Sequence, residues 1–105
     1  MLYRVTLRLT LSHVIKTFVH KGLEYFYFRG TRVGINPRHA AKLGRQLARL
    51  DQAATPDDMR LPGWGLHPLQ GKRAGHWSVT VNGNWRVTFK FEGTDVVAAD
   101  YLDYH

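Results

Sequence analysis

Cysteine is absent from the 105 residues. That excludes a disulfide framework, a thiolate metal site and a cysteine nucleophile, and with them the small secreted scaffolds stapled by bridges. A reducing, cytoplasmic setting is the expectation. Long apolar runs are missing as well: the longest, Tyr25 to Phe28 and Val96 to Ala99, fall far short of the ~20 residues a membrane-spanning helix needs. Arg4 and Arg8 interrupt the apolar N-terminus, so an unbroken signal-peptide core is lacking and export is not expected. Acid is scarce, with eight Asp and Glu against fifteen Lys and Arg, a net charge of +7. Such a balance favours polyanionic partners and leaves nucleic acid, acidic protein and anionic membrane all open. The four prolines sit apart from one another, and there is no repeat, low-complexity tract or linker to mark a domain boundary.

What remains is 44% apolar, enough for one domain burying roughly two-thirds of its unfolded surface. The charge is unevenly placed. All fifteen cations and only four acids precede Phe91, a balance of +11, whereas the last fifteen residues hold Glu92, Asp95, Asp100 and Asp103 with no cation. In so small a domain the acidic tail is expected to fold back on the basic body.

Val5, Leu7, Leu9 and Leu11 alternate with polar residues, the period of a half-buried strand, and Ile15 to Val19 reads as a second extended piece. Leu23, Phe26 and Tyr27 share one face of a short helix over Leu23 to Arg29, which Gly30 ends. Asn36-Pro37 reads as an N-cap followed by a first-turn proline, and apolar residues at 40, 43, 47, 50 and 54 predict an amphipathic helix. Its outer side carries Arg38, Lys42, Arg45 and Arg49. A solvated face is the ordinary reading of such a stripe; a grip on phosphate or on an acidic helix is the functional one.

Beyond the turns at Pro56 and Pro62 the chain is strand-like. A three-residue loop, Asn82-Gly83-Asn84, is expected to pair Val81 with Trp85, Val79 with Val87 and Trp77 with Phe89. The opposite face then gathers His76, Ser78, Thr80, Arg86, Thr88 and Lys90, a polar and basic surface suited to a site. A last strand, Val96 to Tyr101, completes an antiparallel sheet packed on helices, an α+β domain.

Groups useful for phosphate chemistry concentrate in the loop from Leu66 to Arg73, at Arg86, and at Asp103-Tyr104-His105. RNA cleavage through its own 2′-hydroxyl requires a base, an acid, and cations for the charge that develops on phosphorus. Histidine and tyrosine move protons, and arginine clamps phosphate. Taken singly, His67 also suits a turn hydrogen bond, Arg86 a surface position, and Tyr104-His105 a frayed end. The histidines at 13, 20, 39, 67, 76 and 105 show no ligand spacing, so neither a metal nor another cofactor is expected.

Several motifs in order carry a resemblance: Ile15-Lys16-Thr17-Phe18 with His20-Lys21-Gly22-Leu23, Leu66-His67-Pro68-Leu69, Gly75-His76-Trp77-Ser78, Asn84-Trp85-Arg86 and Asp100-Tyr101-Leu102-Asp103-Tyr104-His105. From Val14 to His105 the chain resembles the HigB toxins of the RelE/ParE superfamily. The resemblance implies two to three helices on a mostly antiparallel sheet, and a ribosome-dependent endoribonuclease that cuts translated mRNA. It further implies a HigA-type helix-turn-helix antitoxin, through which operator DNA is met indirectly. Carried over by motif, the catalytic residues are His67, Arg86, Asp103, Tyr104 and His105. The phosphate-binding set is Gln70, Lys72, Arg73, His76 and Lys90, with the helical stripe of Arg38, Lys42, Arg45 and Arg49.

Two departures stand out. Many resembling toxins have lysine where this loop has neutral Gln70, and Lys72 or Arg73 is the nearest replacement. Residues 1–13 precede the usual start of such toxins, which is equivalent to Val14. Two explanations are open: an over-long start before a GTG codon, or a native extension forming an edge strand or arm; an intact mass that includes Met1 to His13 excludes the first. Two other functions remain open, a non-catalytic ParE-like toxin that inhibits DNA gyrase by binding it, and a stand-alone nucleic-acid binder.

Overall fold

The computed structural model describes residues 15–104. The alternating segment Val5 to Leu11 and the terminal His105 lie outside them.

Helix α1 spans Lys21–Arg29, two residues longer at its start than the apolar spacing predicts, because His20 caps it. The imidazole Nδ1 accepts from the Leu23 N–H at 3.0 Å, satisfying an otherwise orphaned helix donor. Gly30 ends the helix in the left-handed region at φ 75°, its N–H donating to the Phe26 carbonyl, as a glycine C-cap should. Asn36 accepts from the Arg38 N–H at 2.9 Å and starts a 3₁₀ turn, Pro37–His39. This turn leads directly into α2, Ala40–Gln52, which buries Ala40, Leu43, Gln46, Leu47 and Leu50. Since the helix stops at Gln52, Ala53 turns inward where the helical spacing predicts Ala54.

Four strands form one antiparallel sheet in the order β1-β2-β3-β4: His67–Pro68, His76–Asn82, Trp85–Glu92 and Asp95–Asp103. The α+β expectation holds. The acidic tail is β4, paired along the length of β3, so it folds back on the basic body.

Val79 pairs with Val87 and Trp77 with Phe89, as expected. The expected pairing of Val81 with Trp85 does not occur. Asn82 pairs with Trp85 across a two-residue Gly83-Asn84 turn, and the register shift between Thr80 and Asn82 leaves Val81 as a bulge. The extra residue lets a short turn coexist with the aromatic register. Two contacts hold Thr80 beside the bulge: its carbonyl accepts from Gln46 Nε2 at 2.9 Å, and its N–H donates to the Trp64 carbonyl at 2.7 Å.

A second bulge sets Ala98 and Ala99 of β4 against Phe89 alone. Here the entering chain docks on the outer edge of β4, with Ile15 and Phe18 bridging Val96 and Ala99 in parallel. Thr17 Oγ1 accepts from the Ala98 N–H at 2.8 Å. Ala98 has φ 55°, a left-handed conformation that costs a residue with a Cβ roughly 1–2 kcal/mol. Glycine relieves that cost while adding disorder to the unfolded chain. Ala98→Gly is therefore expected to stabilise the fold by about 1 kcal/mol, read from the urea midpoint at an unchanged slope.

The core lies between the helices and the inner sheet face, with Leu23, Leu43, Leu50, Met59, Val79, Val87, Phe89 and Val96 fully buried. Buried His39 meets the Tyr101 hydroxyl at 2.7 Å, and that hydroxyl accepts from the Asn36 N–H. Burial holds the His39 pKa below the ordinary histidine value and raises that of Tyr101. Neutral His39 therefore accepts through Nδ1 from the neutral phenol. The unfolded chain takes up the proton first as pH falls, so this contribution to stability is complete above the unfolded value of about 6.5 and declines below it. The urea midpoint is expected to drop between pH 7 and pH 5, and His39→Gln to flatten that limb.

Candidate active site

The outer face of the sheet is built by strand alternation. Across its middle runs one row, His67–Ser78–Thr88–Asp100, each residue directly opposite the next. Thr80, Arg86 and Leu102 form the next row towards the β2–β3 turn, and His76, Lys90 and Val97 the row at the other end. The expected polar face is therefore real, but it is not uniformly open. Ser78 and Thr88 are fully buried, and their hydroxyls have no hydrogen-bond partner among the described residues. Both stand on the two central strands.

His67 and Pro68 pair with Ser78 and Trp77, so the loop histidine stands on an edge strand. His67 Nδ1 lies 2.9 Å from the Gly65 carbonyl. A carbonyl only accepts, so Nδ1 carries the hydrogen and Nε2 presents its lone pair on an exposed ring. His76 is fixed likewise, with Nδ1 3.2 Å from the Arg73 carbonyl.

Arg86 is half-buried, and its Nη1 donates to the carbonyls of Gly83 and Trp85 at 2.6 and 3.1 Å. The guanidinium is thereby fixed beside the β2–β3 turn. Tyr104 is tied to the same turn, its N–H donating to the Asn84 carbonyl at 2.8 Å. His67 and Arg86 are two strands and two residues apart on this face, ~12 Å between backbones.

The remaining expected residues divide. Asp103 pairs with Trp85 rather than with Arg86, and alternation gives it the inner side of the sheet. Gln70 and Lys72 are exposed on or beside the 3₁₀ turn Gly71–Arg73, and Arg73 is half-buried there. The stripe starts at Arg38 in the Pro37–His39 turn and continues with Lys42, Arg45 and Arg49 on α2, whose other side packs on the inner sheet face, so it does not share a surface with His67 and Arg86. Arg49 Nε donates to the Asp58 carbonyl at 2.9 Å, a structural use of one member of the stripe. A cavity of about 310 Å³ between the helices, lined by Phe26, Tyr27, Gly44, Leu47 and Asp51 among others, is also remote from this site. There the Tyr27 hydroxyl donates to Asp51; burial and that carboxylate raise the Tyr27 pKa.

Gln46 positions the site without belonging to it, because its grip on Thr80 fixes the bulge next to Arg86. The signal for it is a polar residue inside the apolar stripe, three after Leu43 and one before Leu47.

Among the described residues, no helix is long and apolar enough to cross a membrane. The family model described as the RelE-like toxin of the type II toxin-antitoxin system HigB matches residues 16–105. Endoribonuclease HigB of Proteus vulgaris is 37% identical over 92 residues, which cover 88% of this chain and 100% of that protein. With nearly the whole described chain matched by family model and relative alike, this protein belongs to the HigB-like family of RelE-like toxins.

Proposed function

We propose that the chain is the toxin of a type II toxin-antitoxin pair and acts as an endoribonuclease on translated mRNA at the ribosome. A HigA-type helix-turn-helix antitoxin neutralises it and links the pair to operator DNA. The observation that carries the nuclease reading is His67, whose fixed tautomer presents an Nε2 lone pair on the sheet face that also bears Arg86.

His67 Nε2 accepts the proton of the RNA 2′-hydroxyl. The 2′-oxygen bonds to phosphorus, the bond from phosphorus to the 5′-oxygen breaks, and a proton returns to that leaving oxygen from Tyr104 or from His105 next to it. Arg86 stabilises the negative charge that develops on the phosphoryl oxygens. The products are a 2′,3′-cyclic phosphate and a 5′-hydroxyl. Asp103, on the Trp85 side, contributes by placing the two residues that follow it. The basic stripe on α2 forms a separate docking surface for ribosomal RNA.

The test is expression in a bacterium with and without the adjacent antitoxin gene, coupled to primer extension on reporter mRNA. Growth arrest with new ends inside translated regions, both reversed by the neighbour, is the expected result. Arrest with intact mRNA and inhibited DNA supercoiling would replace this reading with gyrase inhibition.

A further inference from the structure

Arg86 and Lys90 stand on the same face of β3, four residues apart. At ~3.3 Å per residue their backbones are about 13 Å apart, and the two side chains diverge. Arg86 turns to the β2–β3 turn through the Gly83 and Trp85 carbonyls. Lys90, opposite His76, goes the other way: its Cε lies 3.8 Å from where a Cβ on Gly75 would be. One phosphate group does not reach both.

The Lys90 end is a cationic corner. The Leu69 N–H donates to the His76 carbonyl at 2.9 Å and the Arg73 N–H to the Gln70 carbonyl at 3.2 Å. With the bond from His76 to the Arg73 carbonyl, these contacts close the loop and set the Arg73 backbone against His76, the residue paired with Lys90. Among the described residues the ion pairs are Lys21–Glu24 and Arg60–Asp57, so none of the described carboxylates forms an ion pair with Lys72, Arg73 or Lys90. Glu92, two residues beyond Lys90 on the same face, is exposed and outside those pairs. His67 is level with Thr88, midway between Arg86 and Lys90 along β3. The cleavage centre thus has a cation at each end of a line that follows the strand.

We propose that the corner of Lys90 and Arg73, with His76 holding the Arg73 backbone in place, is a second phosphate subsite, which holds the phosphodiester next to the one being cleaved. The RNA then lies along β3, with His67 between two gripped phosphates. The substrate class rests on the nuclease reading above. The corner also supplies positive charge next to neutral Gln70, from β3 rather than from position 70 itself.

The experiment uses RNA dinucleotides with a 2′-deoxy first sugar, which blocks cleavage, carrying a terminal 5′-phosphate, a terminal 3′-phosphate or neither. Binding to the full chain is titrated at low and moderate salt. One of the two phosphorylated forms is expected to bind about tenfold tighter than the bare dinucleotide, the effect of one charge-assisted contact, and which one it is gives the polarity of the RNA. Lys90→Met keeps the aliphatic stem over Gly75 and removes the charge. It is expected to cut the advantage below about twofold and lower the salt slope of the favoured ligand by about one, bare dinucleotide binding falling by a smaller factor. Arg86→Ala weakens all three ligands alike, and Gln70→Lys restores part of the advantage in the Lys90→Met background. Equal binding of all three ligands by the wild type, or an advantage that survives Lys90→Met, overturns the subsite. The two readings fail separately. Messenger cleavage without an end-phosphate advantage removes the subsite alone, and a Lys90-dependent advantage without cleavage removes the nuclease alone.

Discussion

Arg86→Ala is expected to lower messenger cleavage by about 10²–10³-fold while leaving the fold intact. That is the usual effect of removing one preorganised group from the place where negative charge develops. Arg86 fits this role because its guanidinium is held in advance by the Gly83 and Trp85 carbonyls, so no reorganisation is needed when phosphorus becomes five-coordinate. The strand does not depend on the side chain: Arg86 is half-buried, outside the core, and its backbone pairs with Thr80 and Leu102 whatever the residue. Arg86→Lys is expected to recover only part of the rate, since an ammonium lacks the planar fork that grips two phosphoryl oxygens while bonding carbonyls behind it. Single-turnover cleavage in a translating extract, beside circular dichroism of each variant, measures both halves of the expectation. A rate within threefold of wild type for Arg86→Ala would remove Arg86 from the chemistry.

Phe89→Ala should destabilise the protein by about 3–5 kcal/mol, the cost of removing a fully buried aromatic ring from a packed interior. For a domain whose whole stability lies in the range of about 5–15 kcal/mol, that is enough to leave a sizeable unfolded fraction at growth temperature. Phe89 is fully buried, faces the Ala98-Ala99 bulge alone and pairs with Trp77. Its ring lies 6.1 Å from that of Phe91. The two alanines opposite offer little side chain to collapse into the space, so the cavity persists. Urea unfolding is the measurement; a loss below about 1.5 kcal/mol would mean that the sheet and helices close over the gap.

The parts of this fold that the sequence announces are local. Asn36-Pro37 and the recurrence of Leu43, Leu47 and Leu50 specify α2 because cap chemistry and the 3.6-residue period act within one segment. The pairings of Val79 with Val87 and Trp77 with Phe89 are readable because a one-residue slip would turn every aromatic to the wrong face. Val81 is misplaced because its bulge depends on Gln46 and Trp64, more than fifteen residues away, gripping the backbone of Thr80. The strand at His67-Pro68 is too short for any period to show. Ser78 and Thr88 are fully buried on the polar face, which alternation does not encode.

The site is legible to a similar extent. His67 and Arg86 can be nominated from residue chemistry and from the motifs around them, but the tautomer of His67 is decided by the Gly65 carbonyl. The allotment of Asp103 to the Trp85 side is decided by register. The α2 stripe and the sheet site look like one basic surface when charges are counted along the chain. They belong to different layers because α2 crosses the inner face.

The central claim is that this face cleaves RNA through the RNA's own 2′-hydroxyl. The most direct measurement is the chemistry of the ends produced from an mRNA in which the nucleotide at the mapped cut carries a single 2′-deoxy substitution, compared with the unmodified message. Cleavage of the unmodified message to a 2′,3′-cyclic phosphate and a 5′-hydroxyl, and none at the substituted position, is the predicted result. Cleavage that persists at the deoxy position, or leaves a 3′-hydroxyl and a 5′-phosphate, would contradict it.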